Sequence, residues 1–234
     1  MTGPGRQGVQ GPLLVADGVA KRFGQTVALD GLSIEVRGGE VVAVVGPSGS
    51  GKSTLLLCLA GIIRPDEGEI RYRGRALGSL SDTVLTRLRR DEFGFVFQFG
   101  QLVPDLTAVE NVSLPLRLAG LRRRDAEARS RAWLERLDVA AQAGKRVGEM
   151  SGGENQRVAV ARSLATGPRV VFADEPTGSL DSLNGEVVME LLVSAARDQG
   201  TTVVLVTHEA RVAAYADREV VLRDGRVAEV PVLR

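Results

Sequence analysis

Three features of the chain predict an α/β fold whose sheet strands are covered on both faces. The glycine-rich segment Gly46-Pro47-Ser48-Gly49-Ser50-Gly51-Lys52-Ser53-Thr54 separates the apolar run Glu40 to Val45 from the helix-like run Leu55 to Ala60. Two later runs, Arg169 to Ala173 and Thr202 to Thr207, are apolar without alternation, as strands covered on both faces are. Between them, Asn184 to Arg197 places Val187, Val188, Leu191, Leu192 and Ala195 on one helical stripe. Strand and helix in alternation give a sheet with helices packed on its faces.

The first of these features also carries chemistry. A strand, a glycine loop ending in Gly51-Lys52-Ser53, and a helix form the order that a phosphate-binding P-loop requires. Its glycines let backbone N–H groups turn inward as an anion nest, and the helix N-terminus adds its positive dipole. Lys52 is placed to reach the β- and γ-phosphates, and Ser53 to complete a Mg²⁺ shell. The sequence therefore predicts a nucleoside-triphosphate-binding protein.

The chain of 234 residues is long enough for one large α/β domain with an inserted subdomain. Its 44% hydrophobic and 25% charged residues are an ordinary globular balance. A net charge of +1 and only 4% aromatic residues give no footprint for nucleic acid, so no nucleic-acid partner is expected. The single cysteine, Cys58, excludes an intrachain disulfide and reads as a small buried residue. Without a membrane-length apolar run or a signal peptide, the chain is expected to be cytoplasmic. Residues 1–12, rich in Gly, Pro and Gln, are expected to be a disordered lead-in, and 13–234 a single domain.

Other elements follow from local pattern. Ahead of the glycine loop, Leu14 to Ala16, Val27 to Leu29 and Leu32 to Val36 read as short strands, as do Glu69 to Gly74 and Glu219 to Leu222. Asp125 to Val139 reads as a helix with Trp133 in a core. The region from about Leu85 to Gly148 is expected to be mostly helical, part of an inserted subdomain spanning roughly 85–165. The run Arg122-Arg123-Arg124 reads as a solvated lead into the next helix.

Downstream of the loop stand Met150-Ser151-Gly152-Gly153-Glu154-Asn155-Gln156-Arg157 and Ala173-Asp174-Glu175-Pro176. Asp174 ends an apolar strand, where it can hold a Mg²⁺ shell, and Glu175 beside it can act as base toward a water. With these residues the chain, from about Leu13 to Arg226, resembles the nucleotide-binding subunits of ATP-binding cassette (ABC) transporters. The resemblance implies a P-loop ATPase fold with an antiparallel β subdomain and an inserted helical subdomain, acting on ATP with Mg²⁺. It implies Phe23 as the adenine-stacking aromatic and Gln98, in Phe97-Gln98-Phe99, as the Q-loop glutamine near Mg²⁺ and the water. It implies Ser151-Gly152-Gly153-Glu154 as the signature, Ser179-Leu180-Asp181 as the D-loop and His208 as the switch histidine at the γ-phosphate. Catalysis is then expected from Glu175, His208, Gln98 and Lys52, with Ser53, Gln98 and Asp174 around the metal. Phe23, Met150 and Glu154 stand where tyrosine, leucine and glutamine are more usual, and none of these changes removes a catalytic group.

In the family the signature meets the γ-phosphate held by a second subunit, so a head-to-tail homodimer closed by ATP is implied. The stretches Phe95-Val96-Phe97-Gln98, Leu102 to Val112 and Leu114-Pro115-Leu116 resemble the branch serving lipoprotein release, macrolide export and cell division. Membrane permeases with few spans and a large extracytoplasmic domain are the implied partners, holding the chain at the cytoplasmic face of the membrane. Their coupling helix is expected near Gln98 to Val109, which reads as an exposed loop around Pro104 and Asp105, and changes at Leu102, Asp105 or Leu106 are expected to break recruitment. The alternative is a regulatory ATPase signalling through a membrane partner to cell-wall hydrolysis. A DNA- or ribosome-acting cassette is disfavoured, because Lys52 to Ser151 leaves no room for a long coiled-coil insertion.

Overall fold

The computed structural model describes residues 11–228. Most of the expected lead-in, residues 1–10, lies outside them, as do 229–234. In chain order the first half contains β1 (Leu14–Phe23), β2 (Thr26–Val36), β3 (Val41–Val45), α1 (Lys52–Leu59), β4 (Glu67–Tyr72), β5 (Arg75–Ala76), α2 (Asp82–Glu92) and β6 (Phe93–Phe97). The second half contains α3 (Ala108–Leu118), α4 (Arg123–Arg136), α5 (Gly152–Leu164), β7 (Val170–Asp174), α6 (Ser182–Gln199), β8 (Thr202–Thr207), α7 (Ala210–Ala213), β9 (Arg218–Arg223) and β10 (Arg226–Val227).

Two sheets result. The larger has the order β10-β9-β3-β8-β7-β6, parallel except for the terminal β9–β10 pair. The smaller, β2-β1-β4-β5, is antiparallel. Alternating side chains of the large sheet feed two separate cores. Val41, Ala43, Val171, Ala173, Val203 and Leu205 join Leu116, Trp133, Leu134 and the apolar faces of α5 and α6. Val42, Val44, Val170, Phe172, Val204 and Val206 join α1 and the antiparallel sheet. This two-sided burial is why those strands show no polar alternation.

The expected strands are present, several of them longer than local pattern suggests. Leu14 to Ala16 extends to Phe23, and the two short runs at Val27 and Leu32 form one strand, β2. Register shifts between Ala16 and Val19 and between Val19 and Lys21 let β1 stay paired with β2 past its irregular points, where Gly18 and Gly31 take positive φ. One correction concerns the segment read as helical from Leu85: Phe93–Phe97 is a core strand, pairing β7 in parallel from Phe93↔Val170 to Phe97↔Asp174. The helical layer therefore begins after β6, with α3, α4 and α5. Trp133 is buried there as expected, with the Arg136 guanidinium 5.0 Å from its ring centre. Arg122, Arg123 and Arg124 are exposed at the start of α4. Cys58 is buried on α1, where desolvation pushes its thiol pKa up to about 11. Among the described residues no helix is long and apolar enough to cross a membrane.

Helix α5 lies flush on β6 because residue 94 is glycine: a Cβ there would stand 2.3 Å from the Ser163 carbonyl oxygen. Gly94→Ala is expected to push α5 off the sheet and cost about 1–3 kcal/mol, as overpacking of a tight contact does. Urea denaturation of the two proteins checks it.

Candidate functional site

The P-loop connects β3 to α1 and turns where a side chain has no room. A Cβ on Gly46 would sit 2.1 Å from the Leu222 carbonyl oxygen, and one on Gly51, at φ +99°, 2.2 Å from that of Ala28. The loop is thus wedged between β9 and β2. Gly51 is also the N-cap of α1 and offers no side-chain acceptor, which leaves the helix's first N–H groups for a ligand. The Lys52 ammonium is folded over the loop, donating to the carbonyls of Gly46 and Pro47 at 2.8 Å each.

A cleft of about 560 Å³ opens beside the loop. Ser48, Gly49, Gly51, Lys52, Ser53 and Thr54 line it from the loop and α1, faced by Gln98, Glu175 and His208. Loops from β3, β6, β7 and β8 therefore meet in one place, at the carboxyl ends of parallel strands where α/β folds bind ligands. Ser53 Oγ donates to Asp174 Oδ1 at 3.0 Å, and burial raises the Asp174 carboxyl above its ordinary range, with the Ser53 bond opposing the rise. A hydroxyl and a desolvated carboxylate side by side are hard oxygen donors that fit Mg²⁺.

Glu175 follows Asp174 at φ +45°, a conformation uncommon for a residue with a side chain, and its N–H bonds the Val206 carbonyl at 2.9 Å. Its carboxylate is gripped from the end of β8 and the residue after it: Oε1 lies 2.7 Å from His208 Nδ1, and Oε2 accepts from the buried Thr207 hydroxyl at 3.2 Å. Gln98 reaches into the cleft against Gly178, where a Cβ would stand 2.8 Å from its Nε2. Thr207 was not foreseen, nor were Thr26 and Ala28, which complete the cleft wall from β2. Only the position of Thr207, directly before the lone histidine, could have pointed to it.

The remaining expected residues lie elsewhere. Phe23, half-exposed at the end of β1, pairs in register with the cleft-lining Thr26, and the Lys21 ammonium is 5.6 Å from its ring centre. None of Ser151, Gly152, Gly153, Glu154 or Asp181 lines the cleft. Ser151 caps α5, its hydroxyl accepting from the Glu154 N–H at 3.2 Å while the Glu154 carboxylate accepts from the Ser151 N–H at 2.7 Å. This capping box and the Gln142 amide turn Glu154 back toward its own chain and hold its pKa below the usual range. Asp181 caps α6, with both oxygens on Asn184.

Residues 29–178 match the family described as ABC transporter. The chain belongs to that family. It is 43% identical over 220 residues to the lipoprotein-releasing system ATP-binding protein LolD 2 of Caulobacter vibrioides, covering 92% of this chain and 96% of that one. It is 43% identical to the macrolide export ATP-binding/permease protein MacB 2 of Aeromonas hydrophila, covering 93% of this chain and 34% of that longer protein. A dimeric post-hydrolysis structure of the ATP-binding cassette MJ0796, bound to ADP and Pi, superposes with a TM-score of 0.86 at 38% identity, over 94% of this chain and 99% of that one. The chain is accordingly an ATP-binding, ATP-hydrolysing ABC subunit with the cassette fold that the resemblance implied.

Glu175→Gln keeps the shape of a side chain held from β8 and removes its basicity. It is expected to slow ATP turnover by roughly 10²–10⁴-fold while leaving nucleotide binding in place. Paired ATPase and nucleotide-binding assays check this, and near-normal turnover would remove Glu175 from the chemistry.

Proposed function

We propose that the chain binds ATP in the cleft beside Lys52, completes the site only with a second copy of itself, and passes the resulting cycle of closure to a membrane permease. The observation that carries this reading is the composition of the cleft. It gathers P-loop, Gln98, Glu175 and His208 from one chain, yet no signature residue. Ser151, Gly152 and Gly153 open a helix at a separate surface, with Ser151 and Gly152 exposed, so a second chain can present them to the γ-phosphate.

Within that reading Lys52 trades its two carbonyl partners for phosphate oxygens. Ser53, Asp174 and Gln98 would hold Mg²⁺, which supplies charge stabilisation at the phosphates. Glu175, oriented by Thr207 and His208, takes the proton of the attacking water. Phe23 provides a π-face for adenine at the end of β1. Loss of the shared γ-phosphate then reopens the dimer.

Separating the two kinds of contact tests the trans arrangement. Lys52→Ala is expected to weaken ATP binding by the monomer. Ser151→Arg is expected to leave that affinity nearly intact and abolish ATP-induced dimerisation and turnover. Nucleotide titration with light scattering reads both; equal loss of monomer affinity in the two variants would refute a site completed across an interface.

The permease side rests on a groove along β6, the edge strand of the large sheet. It measures about 350 Å³ and is lined by Ile62, Phe95, Phe97, Arg162 and Thr166 among others. Phe99, two residues past the end of β6, is 76% exposed. We assign a cytoplasmic helix of a few-span permease with a large extracytoplasmic domain to this groove. Leu102, expected to matter for recruitment, is buried in the core, where the Asn111 side chain bonds both the N–H and the carbonyl of the next residue, Val103, and folds the loop inward. Asp105 is exposed and remains at the surface of the same loop. Co-expression with the cognate permease is expected to bring the chain to the membrane, and Ile62→Glu and Asp105→Lys to reduce that fraction several-fold. Full membrane retention in cells lacking every candidate permease would overturn attachment through protein.

A further inference from the structure

Residues 98–107, between β6 and α3, are held largely by side chains reaching in from other elements. Gln156 Nε2 donates to the Phe97 carbonyl at 3.0 Å, and Ser179 Oγ to that of Gln98 at 2.8 Å. Arg162 donates twice, from Nη2 to the Gly100 carbonyl at 2.7 Å and from Nη1 to the Gln101 carbonyl at 2.8 Å. Gln156, Ala159 and Arg162 recur at three-residue spacing and share one face of α5. Gly100, at φ +65°, lies directly on that face, where a Cβ would come within 3.4 Å of both Ala159 and Gln156.

The chemistry of Arg162 is unusual for a scaffold residue. It is half-buried, and burial lowers its pKa, with no acidic partner among the described residues to offset the cost. A neutral side chain could make one of these bonds without desolvating a charge. The rigid planar fork instead ties two successive carbonyls of one loop to one helix. That helix is capped at its N-terminus by Ser151, and the loop begins at Gln98.

We propose that Arg162, backed by Gln156, is the positioning residue that makes the Q-loop backbone move with α5, so that displacement of Ser151 at a closing interface resets Gln98 in the cleft. The inference rests on the role given to Gln98 above. It adds which bonds carry the displacement: two charge-assisted contacts to Gly100 and Gln101, stiff because guanidinium donors to carbonyls are short and directional. Arg162 also lines the groove along β6, so the same side chain borders the surface assigned to the permease.

A double-mutant cycle on the whole chain tests the link. Arg162→Gln is expected to lower kcat about tenfold and raise the Mg²⁺ concentration needed for half-maximal rate. KM for ATP should stay within about twofold, since the P-loop is untouched. In a Gln98→Ala background, Arg162→Gln should add little, because its effect passes through Gln98. Arg162→Lys, which keeps the charge and loses the fork, should recover part of the rate; it carries the same cycle if thermal unfolding shows Arg162→Gln to be unfolded. Multiplicative losses in the double variant, a rise in KM matching the fall in kcat, or a Lys variant equal to wild type would each overturn the link. A Gln98→Ala single variant with undiminished kcat would instead remove the role of Gln98 itself, and the link with it.

Discussion

The parallel register of β3, β8, β7 and β6 brings four loops to one edge of the sheet. Val45 stands opposite Thr207, Val206 opposite Asp174, and Asp174 opposite Phe97. The P-loop, His208, Glu175 and Gln98 therefore leave the sheet at adjacent points, and the 2.7 Å contact between Glu175 and His208 follows from it. A one-residue slip of any strand would exchange its two buried faces, and both faces carry a core, so the register is pinned from both sides.

The antiparallel sheet contributes more than cover. The Ala28 carbonyl of β2 packs against Gly51, and the Leu222 carbonyl of β9 against Gly46. Asp30 N–H bonds the Gly225 carbonyl at 3.0 Å, and Gly225 N–H bonds that of Ser50 at 3.1 Å. The glycine loop is thus cross-braced to both sheets before any ligand arrives, and the entropy of ordering it is met during folding.

Much of this was legible in the sequence because the signals were local. The run Thr202 to Thr207 is β8 without change, and the stripe at Val188 and Leu192 runs through α6. The glycine loop could be read because its chemistry lies in consecutive residues. What escaped depends on tertiary partners. Phe93–Phe97 is too short for period to separate strand from helix, and only the approach of Ser163 to Gly94 and the pairing with β7 make it an edge strand. Leu102 lies in a stretch that reads as an exposed loop around Pro104 and Asp105, and the inward pull of Asn111 on Val103 buries it. Nothing near Arg162 in sequence marks it, since the carbonyls it binds lie more than sixty positions earlier.

The Lys52 ammonium bonded to its own loop has a consequence for what a phosphate encounters. The loop carries an internal plug: carbonyl dipoles of Gly46 and Pro47 serve as stand-in counter-charges, so the cation is never fully bare. On the proposed reading, arrival of a phosphate is a displacement rather than an addition, with bonds to Nζ exchanged one for another and the gain resting on full charge replacing partial charge. A neutral ligand of the same shape has no such advantage over the incumbent carbonyls. The socket is in this sense self-sealing, and it opens in proportion to the negative charge that is offered to it.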